Sequence, residues 1–376
     1  MSDRKLPATI YDVPTPSFLV DLDQVKKNAI KMLDICKKFG VQLRPHMKTH
    51  KTIELGVLMT NGTKQKIEVS TLEEAEFYAK NGFDDILYAY PLISSRIERS
   101  KKLAYSLKSF HVMVDSNHGV ESLLSSPLEN GKKWMVWLEM DGGEGRTGVP
   151  WDSEECIALA KKLNNATSVD FQGLYFFSGR TYGAKGQEEI ITLNKEGTNV
   201  LKTLVNRLSE NGIKCKSLGM GCTPSCSYPD DSMNMMTEFH PGNYIFYDIQ
   251  QLLIGSCTIQ EIACRVATRV ISHKPSKNTI LIDCGFLALS YDGMAQHPNE
   301  FSTFQDHPDL KIINFSQEIG QVTTKSGQKI NYDKYPIGSQ LFIFPWHSCA
   351  TACQHTVFYV HSGDNMVDMW TPAKGW

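Results

Sequence analysis

No stretch of this 376-residue chain is apolar for long enough to cross a bilayer. Its longest apolar runs, such as WMVWLEM at 134–140, are strand-length. The opening MSDRKLPATIYDVP lacks an apolar h-region, so no secretory signal is expected. An excess of one charge is also missing. Lys and Arg number 39 against 41 Asp and Glu, a formal net charge of −2, which argues against nucleic acid or an anionic membrane as partner. Internal repeats and low-complexity tracts are absent. Ten cysteines without a secretory signal read as reduced thiols of a cytoplasmic protein, a few of them available as ligands. What remains is an ordinary globular composition, 41% apolar and 21% charged, with length for two domains and a large core.

Strand and helix patterns alternate through the first 250 residues. PTPSFLVDLDQVKKNAIKMLDICKKFG reads as a short strand, Ser17 to Val20, then a helix. In that helix Leu22, Val25, Ala29, Met32, Leu33 and Cys36 recur at helical spacing. From Val41 the chain alternates, placing Arg44, His46 and Lys48 on one strand face. QKIEVS precedes TLEEAEFYAKNG, in which Thr71 and Glu74 have capping-box spacing. DDILYAYP, SFHVMVDS, KWMVWLEMD, VDFQGLYFFSG and KSLGMG follow as strands, and the helix after the fourth of these should run roughly from Gly186 to Asn211. Such regularity implies a parallel sheet with crossover helices, and its count favours a (β/α)8 TIM-type barrel over an open sheet. Beyond residue 250 the runs are strand-like, punctuated by Gly, Asn, Asp and Pro, with no obvious helix. The expected class is α/β, with a barrel over 15–250 and an all-β domain over 251–376 that takes in 1–14.

In such a barrel the strand C-termini build the active site. Lys48, Asp141, Tyr175 and Gly221 all sit at such ends. Two glycine-bearing loops, LGMGCTPS at 218–225 and FHPGNYIFYD at 239–248, follow the seventh and eighth barrel strands. Small residues there let backbone N–H groups converge on a phosphate, and Thr223 and Tyr244 add hydroxyls. Arg146 lies at the same rim, on EMDGGEGRTG. A lysine able to form an imine, facing a phosphate cradle, suggests pyridoxal 5'-phosphate.

PTPSFLVDLD, RPHMKTHK, DGGEGRTG, GCTPS and HPGNY, in this order, resemble the alanine-racemase-like fold. Within it they look like the branch containing eukaryotic-type D-serine dehydratases and D-threonine aldolases. The resemblance covers nearly the whole chain. It implies that Lys48 carries the cofactor and that Arg146 hydrogen-bonds its phenolic oxygen. Tyr175 and Tyr182 would line the cofactor or phosphate site. Gly221, Cys222, Thr223, Gly242, Asn243 and Tyr244 would hold the phosphate. One segment departs from the pattern: Phe176, Phe177 and Ser178 stand where a YTHAG-like sequence would bring a histidine.

PWHSCATACQH, residues 345–355, has the composition of a metal motif. His347 and Cys349 are two apart, so an extended segment would put both on one face, Cα atoms roughly 6–7 Å apart. Cys353 and His355 could complete a closed tetrahedral zinc site if a turn or helical break followed Cys349. The resemblance implies zinc on His347 and Cys349 alone, with coordination positions open to substrate. Its aldolase branch carries a carboxylate where Cys349 stands, and a thiolate suits zinc better. The implied activity is dehydration of D-serine to pyruvate and ammonia, extending to D-threonine and related 3-hydroxy D-amino acids, in a homodimer. The alternatives are aldolase-type cleavage of the Cα–Cβ bond and, in another class, a non-catalytic pyridoxal phosphate carrier.

Overall fold

A computed structural model describes residues 5–376, so residues 1–4, counted above with the β domain, lie outside it. Two compact units are present. One comprises residues 30–244 with 254–256 and 373–376; the other comprises residues up to 29, 245–253 and 257–372.

The first unit is a barrel of eight parallel strands. In spatial order they are Gln42–Leu43, Glu238–Phe239, Ser217–Met220, Val169–Phe176, Trp134–Asp141, Ser109–Val114, Asp85–Pro91 and Ile67–Val69. A single parallel bridge from His46 to Glu68 joins the two ends. Crossover helices follow most strands, as in Leu72–Lys80, Glu154–Asn165 and Gln187–Glu210. Thr71 accepts from the Glu74 amide at 3.1 Å, so the capping spacing works as a helix start. Gly186 and Asn211 flank the longest helix.

A barrel interior is normally filled by branched apolar side chains. Here part of it is ionic. Arg44 is 2% exposed, and its guanidinium donates to Glu238 (2.7 Å) and to Asp85 (2.7 Å). Burial opposes its charge, but these two carboxylates outweigh that and hold its pKa above the ordinary arginine value. His111 extends the group, 3.4 Å from Asp85, and takes a hydrogen bond from the Trp137 indole at 3.2 Å. The polar face predicted for the 41–48 segment is thus enclosed rather than solvated.

The second unit is built on a largely antiparallel sheet. Its main path runs Leu310–Phe315, Gly320–Thr324, Thr279–Ile282, Cys264–Lys274, Ser17–Asp21, Phe358–Ser362 and Asn365–Trp370. Gln340–Pro345 also pairs with Cys264–Lys274. Ser17–Asp21, which a boundary at residue 15 would give to the barrel, pairs with Cys264–Lys274 and Phe358–Ser362 instead. All five of its residues are shielded, the pattern of a central strand. Short helices interrupt the unit at Ile249–Ile254, Phe286–Leu289 and Ser348–Ala352, where the sequence pattern showed none. Four to six residues are too few for a 3.6-residue period to register.

Candidate active site

The alternation that begins at Val41 does not continue to Lys48 as a strand. Ladder bonds persist through Arg44 N–H to Phe239 O and His46 N–H to Pro241 O, both 2.9 Å. The chain then tightens into a 3₁₀ turn, Met47–Thr49, because the His46 ring caps it: Nδ1 accepts from the Lys48 amide at 3.3 Å. That bond leaves the His46 proton on Nε2, 3.3 Å from both Glu68 and Ser70. Burial pushes the His46 pKa down to about 3, so the ring is neutral near pH 7.

Glu68 is the hub beneath this turn. It is fully buried and takes hydrogen bonds from Tyr175 (2.7 Å) and His240 Nδ1 (2.6 Å). Burial alone would raise its pKa; His46, His240 and the Tyr175 hydroxyl overcome this and bring it to about 2. Tyr175 packs edge-on against His240, ring centroids 4.7 Å apart, so it lies in the barrel interior. His50 turns away from this group, its ring held by Thr52 (3.1 Å) and lying 3.2 Å from the Met59 sulfur.

Above the hub, three of the predicted residues converge on Phe177. The Lys48 amine lies 6.0 Å from the Phe177 ring centre, the Arg146 guanidinium 5.1 Å and the Tyr182 ring 6.3 Å. Arg146 is carried by a loop with little freedom. Asp141 Oδ1 accepts from the amides of Gly143 (2.8 Å) and Glu144 (2.9 Å). Gly148, at φ +105°, sits where a Cβ would come within 2.4 Å of the Asp141 amide, so only glycine fits there. At the same rim Glu139 takes a hydrogen bond from Thr147 at 2.8 Å, while its other oxygen is buried without a partner. Burial pushes its pKa up to about 7.

The two glycine-bearing loops meet. Thr223 Oγ1 accepts from the Tyr244 amide at 3.1 Å. Gly242 lies against the lysine turn: a Cβ on it would be 2.8 Å from the His46 carbonyl. Gly221, at φ +126°, has the Cys226 sulfur 2.4 Å from its missing Cβ position. Cys222 is buried and bonded to Thr181 (3.1 Å) and the Ser178 carbonyl (3.3 Å), which ties this loop to the Tyr182 turn. Burial raises its thiol pKa to about 12, so it is a packing group, not a nucleophile. Asn243 is buried beside Tyr244. An amine, a guanidinium, an aromatic ring and two linked glycine loops match the chemistry of a phosphorylated aldehyde cofactor.

In the second unit the 345–355 segment is not extended throughout. His347 (φ −130°, ψ 106°) caps the helix Ser348–Ala352, which places Cys349 in its first turn. The two side chains still meet, within hydrogen-bonding reach of each other. His347 Nδ1 is also 2.5 Å from Asp292 Oδ2. Burial opposes the imidazolium, but Cys349 and Asp292 hold its pKa well above the ordinary histidine value. Cys353 is exposed with its sulfur on the Ala350 carbonyl, and His355 is buried with Nε2 3.0 Å from the Ala288 carbonyl. Among the described residues no group of three or more His, Cys, Asp or Glu side chains is placed to hold a metal ion, so the four-ligand site is not formed. An imidazole and a thiol side by side are a donor set that suits zinc and leaves positions open.

Glu68, Phe177, His240 and Asp292 were not singled out from sequence. Glu68 had a signal, a carboxylate between two apolar residues of a short strand, and Phe177 had another, its place in the departing YFFSG segment. Asp292 had none, being 55 residues from its partner.

The alanine racemase N-terminal domain model matches residues 20–249, and the serine dehydratase domain model matches residues 263–361. The chain is 34% identical to the D-serine dehydratase of Dictyostelium discoideum, over 98% of each. It superposes on the solved D-threo-3-hydroxyaspartate dehydratase of Delftia sp. HT23 with a TM-score of 0.92 at 27% identity, covering 98% of this chain and 100% of that one. A cysteine-to-alanine mutant of that dehydratase, solved in a metal-free form, superposes at TM-score 0.91 and 27% identity over the same shares. Among the described residues no helix is long and apolar enough to cross a membrane. With both halves matched in this order, the chain belongs to the D-serine dehydratase family of alanine-racemase-like enzymes.

Proposed function

We propose that this chain dehydrates D-serine to pyruvate and ammonia, with pyridoxal 5'-phosphate carried on Lys48 and zinc held by His347 and Cys349. The observation that carries this reading is the convergence of Lys48 and Arg146 on one aromatic ring, backed by the joined glycine loops. Bound pyridoxal phosphate supplies an electron sink for the electrons left at Cα. Bound zinc supplies Lewis acidity, lowering the pKa of a coordinated water from about 15.7 to about 7–9 and so easing hydroxide departure.

The chain's own residues do the rest. Lys48 would carry the cofactor and, as a free amine, would take the Cα proton, and one base on one face would select one enantiomer. Its position is set from below by His46, whose ring fixes the turn and is itself fixed by Glu68. Arg146 would hydrogen-bond the cofactor's phenolic oxygen, and Tyr182 would line the site beside Phe177. Gly221, Cys222, Thr223, Gly242, Asn243 and Tyr244 present the phosphate loops, with Thr223 and Tyr244 holding the two together. Tyr175 acts through Glu68. His347 and Cys349 would supply one nitrogen and one sulfur donor to zinc and leave its other positions open. D-threonine and other 3-hydroxy D-amino acids present the same hydroxyl and carboxylate as D-serine. By the resemblance the protein would work as a homodimer, and ten cysteines in a chain of this composition suit a reducing, cytoplasmic compartment.

Incubation with D-serine and D-threonine before and after chelation tests the reading. Pyruvate and ammonia from D-serine, lost on chelation and restored by zinc, are expected. Glycine and acetaldehyde from D-threonine would identify an aldolase instead, and pyruvate production unchanged by chelation would remove zinc from the reaction.

A further inference from the structure

A metal held by only two side chains depends heavily on how those side chains are oriented. The histidine of the pair does not stand alone. Its Nδ1 is 2.5 Å from Asp292 Oδ2, and the Cys349 side chain lies within hydrogen-bonding reach of the same imidazole. With Nδ1–H held by the carboxylate, Nε2 is the nitrogen left to bind a metal once its own proton is given up. This is the arrangement in which a carboxylate orients a metal-ligating imidazole.

Asp292 is placed by design of the surrounding loop rather than by chance of a mobile side chain. Its amide donates to the Ser290 hydroxyl at 3.1 Å, and the preceding Ser290 adopts the left-handed φ of +66°. Gly293 follows at φ +86°, and a Cβ there would come within 2.3 Å of the Trp346 indole. The same indole stacks on His297 at 4.4 Å, so Trp346 is locked to this loop from both sides. Trp346 is the residue before His347. The helix start is anchored as well: Ser348 N–H donates to Asp248 at 2.8 Å, and the Thr351 hydroxyl to the Leu289 carbonyl at 3.0 Å. Loop and ligand therefore share one rigid support.

From this geometry we infer that Asp292 is a positioning residue for the metal site: it fixes the tautomer and ring plane of His347 so that Nε2 and the Cys349 sulfur face one zinc ion. The inference rests on the proposed zinc reading and adds a residue to it. Asp292 itself does not bind the metal.

Zinc affinity of the pyridoxal-phosphate-loaded protein, stripped of metal and titrated with zinc chloride against a chromophoric chelator, tests it. Asp292→Ala should weaken zinc binding by about 10–100-fold. Asp292→Asn, which can still accept from Nδ1–H but lacks the charge, should fall between it and the parent. Thermal unfolding in excess chelator should be the same for parent and both variants, since the role is exerted on the metal. Full zinc affinity in Asp292→Ala alongside its loss in His347→Ala would overturn the inference and leave the zinc reading intact. Full affinity in both His347→Ala and Cys349→Ala would instead sink the zinc reading. Equal losses of zinc affinity and metal-free stability in Asp292→Ala would make Asp292 a structural residue and also overturn it.

Discussion

The lysine turn and the His347–Cys349 pair are built on opposite plans. Beneath Lys48 the charges are buried and mutually satisfied, Arg44 with Glu238 and Asp85, Glu68 with His240 and Tyr175. The metal pair sits at the start of a five-residue helix and leans on a half-exposed carboxylate. On the proposed function a covalent anchor would have to return to one place each cycle, and a low-dielectric ionic core gives that rigidity at the risk of acid and mutation. A metal site with two ligands gains definition when the ion arrives, so its scaffold needs less burial. The barrel substitutions should therefore move stability, and those at 292 and 347–349 should move metal binding.

The largest effect separates chemistry from scaffold. Lys48→Ala should lower D-serine turnover by about 10³-fold or more and abolish the visible absorbance of lysine-linked cofactor, while its denaturation midpoint stays close to the parent's. Wild-type absorbance in that variant would break the assignment of Lys48.

Arg44→Ala leaves Glu238 and Asp85 facing each other across the barrel without their cation. Loss of one partner of a buried ion pair costs about 3–5 kcal/mol, read as a lower urea midpoint. An unchanged midpoint would show that the ionic core does not support the turn.

Glu139 gives a pH signature confined to the barrel rim. Its folded pKa, about 7, lies above the ordinary 4.5, so the folded state holds the proton more tightly than the unfolded one. Its stabilising contribution is complete below pH 4.5 and is lost as pH rises through 7, a swing of about 3 kcal/mol by linkage. Glu139→Gln should flatten that part of the melting-temperature profile between pH 5 and 8.5. A parallel-shifted profile would place the titration elsewhere.

Tyr175→Phe is the smallest and the sharpest. It removes the Tyr175 hydrogen bond to buried Glu68, worth about 1.5–3 kcal/mol because the acceptor is charged. Stability should fall with cofactor absorbance and affinity unchanged. A change in cofactor affinity without a change in stability would return Tyr175 to the cofactor wall.

Much of this was readable in order. The alternation of strand and helix named the barrel because each parallel strand must be followed by a crossover. Lys48, Arg146 and the loops at 221–223 and 242–244 followed from strand ends. The turn at Met47–Thr49 was not readable, since the alternation persists in the residues while a side-chain cap, His46 on the Lys48 amide, ends the strand. Ser17–Asp21 could not be assigned to the second sheet, because its partners lie some 250 and 340 residues away. A shorter gap, 55 residues, was enough to hide Asp292.

Periodicity and motif order, both local properties, were enough to determine the fold class and to single out Lys48, the two glycine-bearing loops and the His347–Cys349 pair as candidates. Tertiary structure alone decided which groups touch: that Phe177 gathers Lys48, Arg146 and Tyr182, that Glu68 underpins the lysine turn, and that Asp292 backs His347. The physical reason is that hydrogen bonds and ring contacts act over a few ångströms of space, and chain distance carries no record of them.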